Sequence, residues 1–178
     1  INRLIEIFAV IIMIIGFLLL LTLTSYSPDD PNFIFPENTE IKNLLGFQGS
    51  YISDLFFQSI GLISYLISFT LIFSGINIFR NKDLLLIIEN IFFAILYSVF
   101  GSLFFSFFYD NAFMLYINGN GGFIGNYLSE SFLANLINLN INISYYFLIV
   151  LIVVLFFVSI NFNPIKFRNF LRKNIHFF

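Results

Sequence analysis

Four long apolar segments limit what this chain can fold into more than any other feature. A helix rises about 1.5 Å per residue, so about 20 residues cross a hydrocarbon core of about 30 Å. The fourth segment is close to the lower limit of that length. The pattern predicts an all-α integral membrane protein, a single domain over residues 1–178 with four transmembrane helices. These helices are expected at about residues 4–23, 55–79, 84–108 and 145–162.

Composition leads to the same class of protein. Soluble domains carry roughly 25% charged residues, whereas this chain has 10% charged and 59% hydrophobic residues. It contains no cysteine, which excludes disulfides, thiolate nucleophiles and thiolate metal sites. A cleaved signal peptide is the competing interpretation of the first segment, because Arg3 precedes an apolar core. No small-residue cleavage site follows, and the apolar run is too long, so we predict an uncleaved helix.

The first connection, residues 24–54, begins where Pro28 and Pro31 prevent the first helix from continuing. It carries five acidic residues against one lysine, Lys42. Apolar side chains in its second half are expected to hold it against the membrane surface. Asp29 and Asp30 could ligate a divalent cation, but adjacent carboxylates flanked by prolines are more typical of a solvated turn.

The second and third helices are joined by the short link of residues 80–83, which predicts an antiparallel hairpin. Small side chains recur along both helices, and such residues allow close helix approach in lipid. We therefore expect this hairpin to be the packed centre of the bundle, although the same residues could face another subunit. The predicted packing residues are Gly61, Ser64, Ser68 and Gly75 in the second helix and Ala94, Ser98 and Gly101 in the third.

The second connection, residues 109–144, contains Asp110 and Glu130 and no cation. Its glycine-rich residues 119–125 lack the lysine that completes a phosphate-binding loop. Alternating apolar and amide side chains follow the glycines. This pattern predicts a flexible turn and then an amphipathic segment on the membrane surface.

Cations near the helix ends set the predicted orientation. Lys42 falls on one side, and the other cations fall on the opposite side: Arg3, Arg80, Lys82, Lys166, Arg168, Arg172 and Lys173. The positive-inside rule places both termini, the 80–83 link and the basic tail, residues 163–178, in the cytoplasm. The connections 24–54 and 109–144 are then extracytoplasmic.

No constellation for catalysis is evident, and no catalytic residue, cofactor or metal is expected. His176 is the one histidine, so a cluster of histidine ligands cannot form. Ionisable groups within membrane segments nonetheless raise the hypothesis of a small transporter or channel subunit. The candidate groups are Glu6, Asp54, Gln58 and Glu89, none placed near the midplane. Internal repeats would favour that alternative, and we find none between the two halves.

Two motifs resemble a known family. The first is Ser25-Tyr26-Ser27-Pro28-Asp29-Asp30-Pro31 after the first helix. The second is the spacing of Leu45-Gly46 and Gly49 to Asp54, Gln58 and Gly61. Together with the 121–128 stretch, they resemble the four-helix N-terminal membrane domain of the FtsK/SpoIIIE bacterial DNA translocases over nearly the whole chain. Phe33 stands where tryptophan is common, and Ser50 and Ser53 where alanine is frequent.

This resemblance implies a membrane anchor for a hexameric, ATP-driven DNA motor at the division septum of the bacterial inner membrane. The implied work is septum targeting, oligomerisation and contact with the lipid bilayer and other division membrane proteins. With no phosphate loop in 178 residues, this segment alone is expected neither to hydrolyse ATP nor to contact DNA, which would need a motor domain. A structural membrane protein without any motor is a further interpretation.

The orientation can be tested with single cysteines, because the chain has none of its own. A cysteine at Asn38 should react with a membrane-impermeant thiol reagent in intact spheroplasts, and a cysteine at Asn81 should react only after permeabilisation. The converse pattern, with protection at Asn38 and labelling at Asn81, would reverse the orientation.

Overall fold

The computed structural model describes residues 2–31, 40–110, 115 and 117–164, and these residues form helices and turns without a strand. The predicted tail cations and His176 lie outside the described residues. The helices are α1 (Asn2–Thr24), α2 (Gly46–Ile60), α3 (Ser64–Asn81), α4 (Leu86–Phe108), α5 (Gly122–Ser129), α6 (Phe132–Leu139) and α7 (Ile141–Ser159). A 3-10 turn, Gly61–Ile63, joins α2 to α3.

Four helical stretches in the described part are long and apolar enough to cross a membrane, which confirms the predicted fold class. They are α1, the combined stretch Gly46–Asn81, α4 and α7. The bundle has two ends, which we name by what they carry. The loop end holds Thr24, Ser64, Phe108 and Ile141, and the terminal end holds Asn2, Asn81, Leu86 and Ser159. Which end faces the cytoplasm stays a prediction.

The closest helix pair is α1 with α3, which run antiparallel. A methyl group added at Gly75 would lie 2.7 Å from the carbonyl oxygen of Ala9 and 2.4 Å from Met13 Cγ. The Tyr65 hydroxyl donates to the Leu23 carbonyl oxygen at 3.0 Å near the loop end. This approach is close because glycine leaves the backbone uncovered, which is the main route to tight helix packing in lipid.

Helices α4 and α7 form the second antiparallel pair, and aromatic rings dominate it. The hydroxyls of Tyr109 and Tyr145 are hydrogen-bonded at 2.7 Å near the loop end. The rings of Tyr97 and Phe156 meet edge to face at 5.9 Å between centroids nearer the terminal end. Edge-to-face pairs of this kind add about 0.5–1.5 kcal/mol beyond the area they bury.

Buried polar side chains join the two helix pairs. Thr70 Oγ1 of α3 lies 2.9 Å from the Tyr97 hydroxyl of α4 and 3.1 Å from Ser159 Oγ of α7. The Asn90 side chain donates to Ser74 Oγ at 2.8 Å. Such bonds contribute about 0.6 kcal/mol each on average in membrane bundles. Their value here is that they link three helices at one depth.

Two helix boundaries differ from the sequence-based expectation. The second helical stretch begins at Gly46 rather than at residue 55, so residues 46–54 are helical instead of part of a loop. In the antiparallel register, Tyr65 is level with Leu23 near the end of α1, so α3 alone spans the depth of α1 and α2 lies at the loop end. The fourth span, α7, covers Ile141–Ser159 instead of residues 145–162.

The predicted packing residues divide among several contacts instead of forming one seam between α3 and α4. Gly75 faces α1, and a methyl group at Gly101 would lie 2.4 Å from Ile63 Cδ1. Ser64 and Ser68 donate to the backbone carbonyl oxygens of Gly61 and Tyr65 within their own segment. Small side chains permit close approach, but they do not specify which neighbour approaches.

Helices α3 and α4 separate around a groove of about 310 Å³, lined by Thr70, Ser74, Asn90, Ala94 and Ser98 among others. Ala94 and Ser98 therefore line this groove instead of making a tight contact with α3. The short 80–83 link makes the two helices neighbours, as predicted, but the tightest packing lies in the α1–α3 pair.

Replacing Gly75 with leucine should separate α1 from α3, because the new side chain would collide with Ala9 and Met13. Overpacking of this kind typically costs about 1–3 kcal/mol. Thermal unfolding of the purified protein in mild detergent, followed by far-UV circular dichroism, measures the loss. The matched control is Ala94→Leu, which enters the open α3–α4 groove and should leave the midpoint nearly unchanged. Equal losses in both variants would contradict the assigned contact.

Candidate functional site: a polar cap at the loop end

Three segments at the loop end pack together, and we call them the cap: residues 25–31, 40–63 and 117–131. The cap starts where α1 stops at Thr24. Ser25 Oγ donates to the Leu21 carbonyl oxygen at 2.7 Å and accepts from the Leu44 amide at 3.1 Å. One hydroxyl thus satisfies a carbonyl left unpaired at the helix end and binds the returning chain.

Asp30 fastens the first connection to the end of α1. Its side chain is 1% exposed. One carboxylate oxygen accepts from the Lys42 amide at 2.8 Å and the other from the Asn43 amide at 2.9 Å. Hydrogen bonds to an ionised acceptor are stronger than neutral ones, at about 1.5–3 kcal/mol each. Asp30 therefore has a structural role and is not part of a solvated turn.

Asp29, unlike Asp30, is exposed to solvent. Its Oδ2 pairs with the Lys42 Nζ at 3.0 Å. The hydrogen bond to this carboxylate raises the pKa of Lys42 above its usual value. Exposed pairs of this kind contribute little to stability. No cluster of three or more histidine or acidic side chains able to hold a metal occurs among the residues that the structure describes.

Asn43 is the second anchor of the cap and is 4% exposed. Its side-chain nitrogen donates to the Thr22 carbonyl oxygen of α1 at 2.9 Å, and its oxygen accepts from the Leu45 amide at 3.1 Å. A methyl group at Gly49 would lie 2.1 Å from that oxygen. Glycine is therefore required at position 49, because any larger side chain would displace Asn43.

Helix α2 rests on the end of α1 through one polar and one aromatic contact. Ser50 Oγ donates to the Pro31 carbonyl oxygen at 2.5 Å. The Phe57 ring is 2% exposed and meets the rings of Tyr26 at 4.8 Å and Tyr65 at 5.6 Å between centroids. Ser50 stands where alanine is frequent in the family that the sequence resembles, and alanine could not make the bond to Pro31.

The second connection contacts the chain at Gly61, where α2 ends and the chain turns into α3. Gly61 has φ +69°, in the left-handed region that favours glycine. A methyl group there would collide with the Asn120 carbonyl oxygen, which accepts from the Leu62 amide at 2.9 Å. Asn120 in turn donates through its side chain to the Tyr109 carbonyl oxygen. The sequence indicated a small packing residue at Gly61, whereas the structure shows the hinge between α2 and α3.

Helix α5 packs closely against α4, a contact that the sequence did not indicate; its expected position at the membrane surface stays a prediction. Methyl groups at Gly121 and Gly125 would lie 2.4 and 2.3 Å from the Ser102 carbonyl oxygen of α4. Ser102 precedes the end of α4 at Phe108 by about 9 Å along the helix axis. The glycines thus let α5 sink beside α4, and the predicted flexible turn is a packed element. Helix α6 shows the expected amphipathic pattern in part: Ile137 is buried and Asn135 and Asn138 are exposed, but Leu136 and Leu139 are exposed as well.

The groups proposed for transport are divided between the two ends of the bundle. Asp54 accepts long hydrogen bonds of 3.4 Å from Tyr26 and Gln58 within the cap. Glu6 pairs with Lys82 at 2.6 Å at the terminal end, and Glu89 lies in a cleft at that same end. The structure therefore does not place them along one path.

Sequence reasoning missed the asparagines that organise this site. Asn43 and Asn120 are uncharged, and glycines are close to both in the sequence, at position 46 for Asn43 and at positions 119 and 121 for Asn120. Such a pattern indicates only a turn when the partners are unknown. The spacing from Asn43 to Gly49 was the one available signal. Its meaning depends on Thr22, which is adjacent only in the folded chain.

Comparison with known proteins gives three findings. The family model described as the 4TM region of DNA translocase FtsK/SpoIIIE matches residues 2–171. A DNA translocase FtsK from Rickettsia bellii is 30% identical over 174 residues, covering 96% of this chain and 22% of that protein. The FtsK of Rickettsia prowazekii is 36% identical over 74 residues, 42% of this chain and 10% of the relative. The chain thus spans about a fifth or less of these relatives, and no solved structure matches it.

Replacing Asp30 with asparagine should release residues 40–45 from α1, because a neutral amide cannot accept from two backbone amides as a carboxylate does. Lys42 provides the readout, since a lysyl endoprotease cleaves after it only when the segment opens. A loss of about 1.5–3 kcal/mol raises the open population about tenfold or more, and the Lys42 cleavage rate should rise accordingly.

The control for this experiment is Asp29→Asn, which makes the same charge change at the neighbouring position and removes the exposed pair with Lys42. Its cleavage rate should stay within about twofold of wild type, as expected for surface ion pairs. Equal acceleration in the two variants would show that Asp30 has no special role in closing the cap.

Proposed function

This chain belongs to the family formed by the 4TM region of the FtsK/SpoIIIE DNA translocases, and from that membership we propose that it anchors such a translocase at the bacterial division septum. The observation that carries the proposal is the family match over residues 2–171, together with four helices able to cross a membrane. ATP hydrolysis and DNA translocation are then the work of a motor outside these 178 residues.

Anchoring in the inner membrane is supported by how charge is distributed over the bundle. Arg80 lies in the last turn of α3 and Lys82 follows that helix at the terminal end, and Arg3 lies near the start of α1 at that end. Lys42 is the one cation of the first connection and is paired with Asp29. By the positive-inside rule, the terminal end faces the cytoplasm, where a motor acting on the chromosome would have to be attached.

The cap is the part of the chain suited to meet other division membrane proteins. Asp30, Asn43 and Asn120 hold its backbone in one arrangement, so a partner would meet a formed surface and little entropy would be lost on binding. Apolar side chains project from that surface, including Leu44, Phe123 and Tyr127, which are 70%, 63% and 70% exposed. We propose that these side chains contact partners or the membrane interface, where aromatic residues are enriched.

Oligomerisation, as a hexamer by family resemblance, is the third element of the proposal. Among the four spans, α7 has the smallest share of its apolar window buried within the chain. Val150, Val153 and Phe157 are exposed along it. A helix so little covered by its own chain is open to a neighbouring copy as well as to lipid.

Septum targeting can be tested with a fluorescent protein fused to residues 1–178 in a rod-shaped bacterium. We expect a band at midcell in dividing cells. If the cap recruits partners, Asp30→Asn should lower the septal fraction of the signal at equal membrane abundance, while the control Asp29→Asn should not. Uniform envelope fluorescence of the wild-type fusion throughout division would contradict the anchor proposal.

A further inference from the structure

A groove opens at the terminal end between α3 and α7, with a volume of about 720 Å³. It exists because α7 stops at Ser159 and the chain turns at Asn161, whose φ is +49°. The Asn77 side chain donates to the Ile160 carbonyl oxygen at 2.7 Å. This hydrogen bond fixes the position of the turn relative to α3 and so defines one end of the groove.

The groove has two chemically different parts. Phe73, Ile76 and Phe157 contribute to apolar walls that follow the helices. Arg80 and Asn161 contribute polar groups where the helices end. An apolar channel leading to a cation at the end of a membrane helix has the amphipathic layout of a phospholipid, with acyl chains along the helices and the phosphate at the interface.

Two polar groups of the groove, Arg80 and Asn161, can each form a further ion pair or hydrogen bond with a ligand. Arg80 belongs to neither of the ion pairs formed within the described residues, which are Glu6 with Lys82 and Asp29 with Lys42. The Asn161 side-chain oxygen is buried and accepts no hydrogen bond from that part of the chain. A buried acceptor without a donor costs about 1–3 kcal/mol, which a bound donor would recover.

We propose that this groove binds an anionic phospholipid whose headgroup carries hydroxyl donors, of the phosphatidylglycerol type. The Arg80 guanidinium forms the planar, two-pronged contact that suits a phosphate. A glycerol hydroxyl of the headgroup donates to the Asn161 oxygen. Glu89 lines the adjoining cleft with Asn161, so a second negative charge beyond the phosphate is disfavoured there. The inference concerns the membrane rather than DNA or division partners, and it stands apart from the proposed function.

Native mass spectrometry of the purified chain tests the site. Protein in detergent is titrated with phosphatidylglycerol or phosphatidylcholine, and the fraction carrying one lipid is measured. We expect preferential retention of phosphatidylglycerol. Arg80→Gln should lower its apparent affinity about fivefold, the effect of one cation near an anionic surface. The matched control Arg3→Gln removes a cation from the same end but outside the groove and should leave the affinity unchanged.

A second variant and a second ligand keep the test decisive. Ile76→Trp fills the apolar channel without changing charge, so it should also reduce lipid retention. Free glycerophosphate has the headgroup chemistry without acyl chains and should not displace the lipid at millimolar concentration. Equal effects of Arg80→Gln and Arg3→Gln would overturn the proposal, because they would indicate diffuse attraction to the surface. Equal retention of the two lipids, or displacement by glycerophosphate, would also overturn it.

Discussion

The two hydrogen bonds that the backbone amides of Lys42 and Asn43 donate to the Asp30 carboxylate hold the loop end of the bundle together. They bring Asn43 under the end of α1, where its side chain donates to the Thr22 carbonyl oxygen. That position requires Gly49, and so it fixes where the first turns of α2 lie. The need to pair backbone groups close to hydrocarbon thus determines the shape of the cap.

The same constraint links the two connections. The chain reverses at Gly61, where the Asn120 carbonyl oxygen accepts from the Leu62 amide. Through this bond the second connection fixes the turn between α2 and α3. A surface built this way is formed before a partner arrives. This suits a membrane domain whose proposed task is to meet other proteins at the septum while its helices stay in lipid.

Sequence alone predicted the features that depend on hydropathy. The four spans, the end of α1 before Pro28 and the short link after α3 all follow from local composition, since lipid sets the length of apolar runs. Features that depend on partners distant in sequence were not predictable. Glycine weakens helices locally, so Gly46 and Gly49 favoured a loop at this position. Helix α2 nevertheless begins at Gly46, and Gly49 leaves the space that the Asn43 side chain occupies.

Packing partners were also beyond local reasoning. Gly75 indicated a close helix contact, but the choice of α1 over α4 depends on the facing residues Ala9 and Met13. Thr70 and Tyr97 were not predicted, because within an apolar segment only a charged side chain indicates a functional position. Neutral groups of this kind join the two helix pairs, and they show no signal until the depth of each helix is known.

The central claim is that the cap is a formed structure fastened by Asp30. Hydrogen exchange of the wild-type chain in lipid nanodiscs tests it most directly. The amides of residues 42–45 donate no helical hydrogen bonds, yet the amides of Lys42, Asn43 and Leu44 donate to the side chains of Asp30 and Ser25. We predict exchange about 100-fold or more slower than in an unstructured chain, which corresponds to an opening free energy of about 2.7 kcal/mol. Exchange within about tenfold of the unstructured rate would contradict the claim.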